Sequence, residues 1–347
     1  MKFDIFVRIK NVHIMRTLYL FFLFFLISIS LKSQTISSTY AEKLGYPKGA
    51  KVVIMHVDDV GMSYDSNEGA IQAIEKGVAN SLSIMMPCPW VPSFMHYLKE
   101  HPSVDAGIHL TLTSEWKNYR WHPLIGYHEA KGLVDTEGAF HHSVEEVVKN
   151  ASADEVEAEM RAQIARFRLF GLEPTHLDSH MGTLFALPAF TERYIKVGIS
   201  EHIPIMFPGG HCTVIKELRK SKPEEIKQFQ AIGEMLWAAG LPVLDDLHPD
   251  SYSTKPPKDV AASDEKLKKF RTDNYIDILK SLKPGVTMVI MHCTVLSNIY
   301  QHISADGAVR KGDWLAMLDP RLKAYIQKEG IVLTTWRELK ARRDKVK

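Results

Sequence analysis

The sequence predicts an α/β fold, an irregular (β/α) barrel with about seven to eight mostly parallel strands. Three observations carry this expectation. From about Ser37 onward, short apolar runs alternate with longer amphipathic ones, the pattern left by parallel strands joined by helical crossovers. About eight such runs over roughly 300 residues suit one barrel. Three of the runs also stop on residues of metal-ligand type: Lys51–Val57 on Asp58-Asp59, Val104–Ile108 on His109, and Pro174–Leu177 on Asp178-Ser179-His180. Strands that end in ligands present them at one edge of a sheet, where they can share a pocket. An open doubly wound sheet is the alternative architecture.

The expected strands are Val52–Val57, Leu82–Met86, Asp105–Leu112, Thr175–His180, Ile203–Phe207, Pro242–Leu247, Val286–His292 and Ile331–Trp336. Helical spacing appears in Asn67–Lys76 and in Ala153–Phe170, where Val156, Met160, Ile164 and Phe167 repeat on one face. Asp154 and Glu155 favour the first turn of the second helix, and Gly171 ends it. Further helices fit Pro188–Val197, Pro223–Ala239, Asp264–Leu282 and Pro320–Lys328. Asn118–Val144 is a long irregular stretch rich in Trp, Tyr, His and Gly, and loops of that length usually act as lids or binding walls. Tyr252–Val260 reads as a second exposed loop. No GxGxxG, GxxxxGK[ST] or GxSxG motif is present, so dinucleotide, P-loop and nucleophile-elbow chemistry have no support.

Thr17–Leu31 is an apolar run between Arg16 and Lys32, shorter than the roughly 20 residues that span a bilayer comfortably. It fits a signal-peptide core, with Met15 as an alternative start, so residues 1–34 are expected to be a leader and 38–347 a single domain. An uncleaved anchor is the competing reading. No Cys follows the run, which argues against a lipoprotein anchor. The expected product is exported, periplasmic or secreted, without stable membrane insertion after cleavage. Cys88, Cys212 and Cys293 allow one disulfide at most and contain no CxxC pair. A net charge of +2 and the absence of a basic stripe argue against nucleic acid as a partner; a homodimer is compatible with the sequence.

Adjacent carboxylates at Asp58-Asp59 point in different directions, so one can bind a metal while the other stays free as a base; solvated turn residues would look the same. His109 shares a strand face with Thr111 and Thr113. A lone strand histidine is more often structural. His176, Asp178 and His180 also share one face by the period of two, and three polar residues turned inward are costly unless they bind something. His180, nearest the strand end, is the better ligand; Asp178 and His176 suit supporting or structural hydrogen bonds. Taken together, Asp59, His109 and His180 would make a His₂-carboxylate site with open positions, of the kind that activates water at neutral pH. Asp58 could then remove a proton. His292, at the end of an apolar run, could protonate a leaving group. Within the aromatic stretch Trp116–Trp121 and just after it, Arg120, Trp121 and His122 are candidate substrate contacts. Two imidazoles and a carboxylate suit Zn²⁺ best, with cobalt, nickel or manganese as alternatives.

These residues resemble the YdjC-like carbohydrate deacetylase family. The motifs are Asp58-Asp59-Val60-Gly61-Met62-Ser63, Gly107–Leu112 and Asp178-Ser179-His180, in that order, and the resemblance runs from about Val52 to Leu339. It implies an irregular (β/α) barrel, a divalent-metal site and removal of N-acetyl groups from an amino sugar or oligosaccharide, often of chitin type. By motif it makes Asp59, His109 and His180 the ligands, Asp58 the base and His292 the acid, and it keeps Mg²⁺ open as the metal. Two departures are present. Gly182 stands where many members carry a histidine, and His292-Cys293-Thr294 stands where many carry His-Pro-Gly. Hydrolysis of another ester, amide or phosphoester bond is the nearest alternative. A non-catalytic sugar-binding protein on this scaffold is a further one, although pure binding has no need of a base at Asp58.

Overall fold

The computed structural model describes residues 38–249, 252 and 254–346. The expected leader at 1–34 lies outside the described residues. Among those residues there are seven strands: β1 (Lys51–Val60), β2 (Ser81–Ile84), β3 (Ala106–Leu110), β4 (Leu177–Ser179), β5 (Asp246–His248), β6 (Gly285–Met291) and β7 (Val332–Leu333). Every ladder is parallel, in the order β4-β3-β2-β1-β6-β5, with β7 added on β1. Two isolated parallel bridges, Leu177 to Ile205 and Pro208 to Leu244, carry the circuit from β4 towards β5. The architecture is the irregular (β/α) barrel read from the sequence. Nearly every residue of β1 and all of β2, β3 and β6 are buried, as expected for parallel strands covered on both faces.

β1 is the hub. One edge pairs with β6 from Lys51 to Val57. The other edge is shared: β7 takes Val52 and Val53, and β2 takes His56 to Val60. Asn80 fills the junction. Its backbone N–H donates to the Met55 carbonyl at 3.0 Å, its side-chain oxygen accepts from Met55 N at 2.9 Å, and its amide nitrogen donates to the Thr334 carbonyl at 2.8 Å. The side chain thus supplies the ladder bonds that a change of partner strand would leave unmade.

Several elements differ from the reading of the sequence for local reasons. Ile203–Phe207 makes a single bridge rather than a strand, because Pro204 and Pro208 have no N–H to give to a ladder. Thr175–His180 contracts to β4, with His180 opening a 3₁₀ turn that passes through left-handed backbone at Met181 and Gly182. Ile331–Trp336 contracts to β7 because Thr335 caps the helix Trp336–Arg343, its hydroxyl accepting from Glu338 N at 3.1 Å. The first long helix starts earlier than expected, at Tyr64, with Ser63 as its cap. Gly307–Met317, given no element by the sequence, is a helix.

The stretch from Asn118 to Val144 has no long regular element, yet it is pinned. The buried Glu159 carboxylate, on the helix Ala153–Leu169, accepts from Leu124 N and Ile125 N, both at 3.1 Å. Gly132 N donates to Glu155 at 2.6 Å.

Asn80→Ala would leave the Met55 N–H and the Thr334 carbonyl without their partner. We expect a loss of about 1–3 kcal/mol in unfolding free energy, read as a lower denaturant midpoint with an unchanged slope. An unchanged midpoint would show that the junction contributes nothing.

Candidate metal centre

The centre begins with an irregularity in β1. Val57 pairs with Leu82 and Val60 with Ile84, so β1 uses three residues where β2 uses two. The extra residue is a β-bulge, and Asp59 has φ +63° within it. Strict alternation would send Asp58 and Asp59 to opposite faces. The bulge lets both approach one imidazole: His109 Nε2 lies 3.8 Å from Asp58 Oδ2 and 3.3 Å from Asp59 Oδ1. Gly61 then turns the chain at φ +84°, where a Cβ would meet Val91 Cγ2 at 2.7 Å.

Asp59 Oδ1 is also 3.3 Å from His180 Nδ1, and the His109 and His180 rings meet edge to face at 5.1 Å. One ligand-type atom from each of Asp59, His109 and His180 lies within 4.8 Å of the others, and all three residues are buried. The far nitrogen of each imidazole is engaged by a carboxylate. His109 Nδ1 is 2.6 Å from Asp178 Oδ1, and His180 Nε2 is 3.2 Å from Glu115 Oε2. An Nδ1–H given to Asp178 leaves the Nε2 lone pair of His109 aimed at Asp59, and the Glu115 contact does the same for Nδ1 of His180. Three lone pairs therefore converge, and Asp59 Oδ1 has no hydrogen-bond partner. Such a set needs either protons or a cation between its members. Its chemistry fits a divalent metal of the zinc, cobalt, nickel or manganese type better than magnesium, which prefers more oxygens.

A second layer lies beneath. His56 Nε2 sits 2.9 Å from Asp178 Oδ2 and 3.1 Å from Asp58 Oδ1, so one fully buried imidazole bridges the two carboxylates. Its Nδ1 meets Ser81 Oγ at 3.0 Å, and Ser83 Oγ donates to Asp58 Oδ1 at 3.3 Å. His176 Nε2 is 3.6 Å from Asp178 Oδ2, and its ring stacks on Trp336 at 5.1 Å. Desolvation alone would push His56 down, but the hydrogen bonds and charge of Asp178 and Asp58 outweigh it and hold the imidazole at about 9. Desolvation likewise opposes the charge on His180, yet Glu115 and Asp59 raise it to about 9.

On the far side of Asp59, Arg310 Nη2 is 2.6 Å from Oδ2. Arg310 is buried, with its guanidinium 5.6 Å from the ring centres of both Trp116 and Tyr252. Burial disfavours the Asp59 carboxylate, but Arg310, His292 and the two other imidazoles keep it well below the usual carboxylate range. His292, immediately after β6, has Nε2 3.9 Å from Asp59 Oδ2, and its ring lies 4.5 Å from that of Tyr252. Its backbone N–H donates to Asp313 Oδ2 at 3.0 Å, and burial pushes its imidazole below the ordinary value.

The structure thus brings Asp58, Asp59, His109, Asp178, His180 and His292 together and sets His176 behind Asp178. Arg120, Trp121 and His122 are placed differently. Arg120 is bound to Asp135, Glu137, His142 and the Phe140 carbonyl; Trp121 is buried with Nε1 on the Thr113 carbonyl; His122 is exposed with Nδ1 on the Gly138 carbonyl. These side chains hold the long loop to itself. Just before that loop, Glu115 and Trp116 reach the centre through His180 and Arg310, and Tyr119 at its start donates to the Met62 carbonyl. Sequence reasoning missed His56, Glu115, Tyr252 and Arg310. His56 could have been found, because it is a polar residue inside an apolar strand. Arg310 carried no such signal.

A barrel with a buried imidazole–carboxylate cluster at the C-terminal ends of its strands is an enzyme-type site. The model of the YdjC-like protein family matches residues 52–328, and the chain belongs to that family. It is similar to a carbohydrate deacetylase of Thermus thermophilus, at 29% identity over 82% of this chain and 92% of the relative. A carbohydrate deacetylase of Geobacillus stearothermophilus matches at 27% identity, over 82% and 96% of the two chains. A crystal structure from Enterococcus faecalis, of a protein named for cellobiose-phosphate cleavage, superposes with a TM-score of 0.66 at 21% identity, covering 84% of this chain and 99% of that one, and supports the fold.

The raised imidazoles have a consequence for chelator-treated protein. Groups held above the usual histidine value of 6.5 contribute stability that is full below that pH and is lost as pH rises through about 9. The thermal midpoint of such protein should therefore fall between pH 6.5 and 9. A midpoint that stays level across that window in calorimetry would contradict the buried His56 and His180 pairs.

Proposed function

We propose that this chain is an exported, metal-dependent hydrolase that removes N-acetyl groups from amino sugars, of chitin type or related. The observation that carries the reading is the convergence of three lone pairs from Asp59, His109 and His180 beside a second carboxylate, Asp58. The Thermus and Geobacillus relatives are named carbohydrate deacetylases, which supports removal of an acetyl group from a carbohydrate. Export rests on the apolar run Thr17–Leu31.

Asp59, His109 and His180 would hold the cation, which fits zinc best. Once bound, it would supply Lewis-acid polarisation of the amide carbonyl and acidify water. The chain's own residues do the rest. Asp178 and Glu115 fix the tautomers and ring planes of the two imidazoles. Arg310 holds Asp59 Oδ2, leaving Oδ1 to face them. Asp58, steadied by Ser83 and His56, takes a proton from the attacking water. His292, beyond Asp59, gives a proton to the departing amine nitrogen.

The test uses mature protein, elemental analysis and acetate release from N-acetylglucosamine oligomers. We expect stoichiometric metal and chelator-sensitive release. Asp58→Asn should lower kcat by about 10²–10⁴-fold while metal is retained. Metal without acetate release would redirect the chemistry to another ester, amide or phosphoester. Unchanged turnover in Asp58→Asn would remove that residue as base.

Asp178→Asn should weaken metal affinity by about 10–100-fold through loss of the charge behind His109, measured by competition with a chelating dye. Undiminished affinity would make Asp178 a bystander.

A further inference from the structure

Three aromatic side chains among the described residues are strongly exposed: Tyr64 at 50%, Trp90 at 41% and Tyr127 at 60%. All three sit on segments that leave the C-terminal ends of strands, namely β1, β2 and β3, the end at which Asp59, His109 and His180 are gathered. Single exposed apolar residues are ordinary and need no explanation. Tyr64 and Trp90 are not single. Their rings touch, with centroids 5.3 Å apart and planes inclined at 59°.

The pair is also tied to the turn that follows Asp59. Trp90 N donates to the Gly61 carbonyl at 3.1 Å, and the Trp90 carbonyl accepts from Asn67 Nδ2 at 3.1 Å. The same buried Asn67 accepts from Gly61 N at 2.7 Å. Gly61 is two residues beyond Asp59, and Tyr64 opens the helix capped by Ser63. Hydrogen bonds therefore fix the aromatic pair to the turn that leaves the bulge. A mobile surface patch would not need a buried asparagine for this, whereas a binding platform gains from being set in advance.

We propose that Tyr64 and Trp90 form a second sugar subsite, which binds the apolar face of a pyranose ring next to the unit held at the metal centre. The inference rests on the deacetylase reading and adds that the substrate is an oligosaccharide long enough to cover both places. A pyranose suits the pair because it has a C–H face to lay on an aromatic ring and hydroxyls left for water. A protein partner suits it less well. Two half-exposed rings are far smaller than the roughly 800 Å² per side that a stable protein interface buries.

The test is calorimetric titration of the full mature chain with N-acetylglucosamine oligomers from dimer to hexamer, in an Asp58→Asn background to prevent turnover, alongside acetate-release assays on active protein. We expect affinity to rise with chain length. Trp90→Ala and Tyr64→Ala should each weaken the longer oligomers about tenfold while changing the dimer least, and Trp90→Phe should recover most of the loss. Thermal midpoints close to that of the parent would show that the variants fold. Length-dependent binding that is the same in Trp90→Ala overturns the subsite and leaves the deacetylase reading standing. Absence of both oligomer binding and acetate release overturns the two together.

Discussion

The bulge that turns Asp58 and Asp59 towards one imidazole is the constraint on which the rest of the site depends. Without the extra residue between Val57 and Val60, one of the two carboxylates would face away from the barrel mouth. With it, two buried acids share a few ångströms, and each has its own polar or charged partners. Asp59 has Arg310; Asp58 has Ser83 and His56. The left-handed backbone at Asp59, a conformation unfavourable for a residue with a side chain, lies between the two β2 pairings of Val57 and Val60.

Burying this much charge works against stability. Each ion taken out of water carries a desolvation cost that its partner repays only with good geometry. The cluster meets the cost by chaining: Asp58 to His56, His56 to Asp178, Asp178 to His109, His109 to Asp59, and Asp59 to Arg310. The chain is still incomplete. Asp59 Oδ1 and Asp178 Oδ2 lack hydrogen-bond partners of good geometry, as do Nε and Nη1 of Arg310. Buried polar atoms left this way are uncommon in a folded protein, and the ones around Asp59 mark it as a functional-site candidate.

How much of this was legible depended on whether a signal was local. The alternation of runs made the barrel readable, and residues of metal-ligand type at strand ends drew attention to Asp59, His109 and His180, because a strand fixes where its last residue points. Asp154 and Glu155 likewise marked the first turn of the helix Ala153–Leu169. The losses came where a tertiary contact overrode local preference. Ile203–Phe207 is β-rich, yet its prolines reduce it to a bridge. Arg120, Trp121 and His122 were candidate substrate contacts; the structure places Arg120 and His122 on Asp135, Glu137 and loop carbonyls, and Trp121 in the core. Arg310 could not be found, because its meaning lies in Asp59, some 250 residues away.

Placement of the centre on β1 follows from what a metal or substrate site demands of its scaffold. First-contact groups must be held by residues that are themselves fixed. β1 is the most extensively paired strand, bonded to β2, β6 and β7, and Asn80 seals the one gap along its edge. The flanking strands each bring one further element: Ser81 and Ser83 from β2, and His292 from the end of β6. β3 and β4 then supply the imidazole and the carboxylate that face each other through the register pairing His109 with Asp178. A one-residue slip of that register would place Leu110 or Ile108 opposite Asp178 and leave a buried acid without its base. The register that aligns the barrel core is therefore the same one that assembles the site, so the fold and the centre stand or fall together.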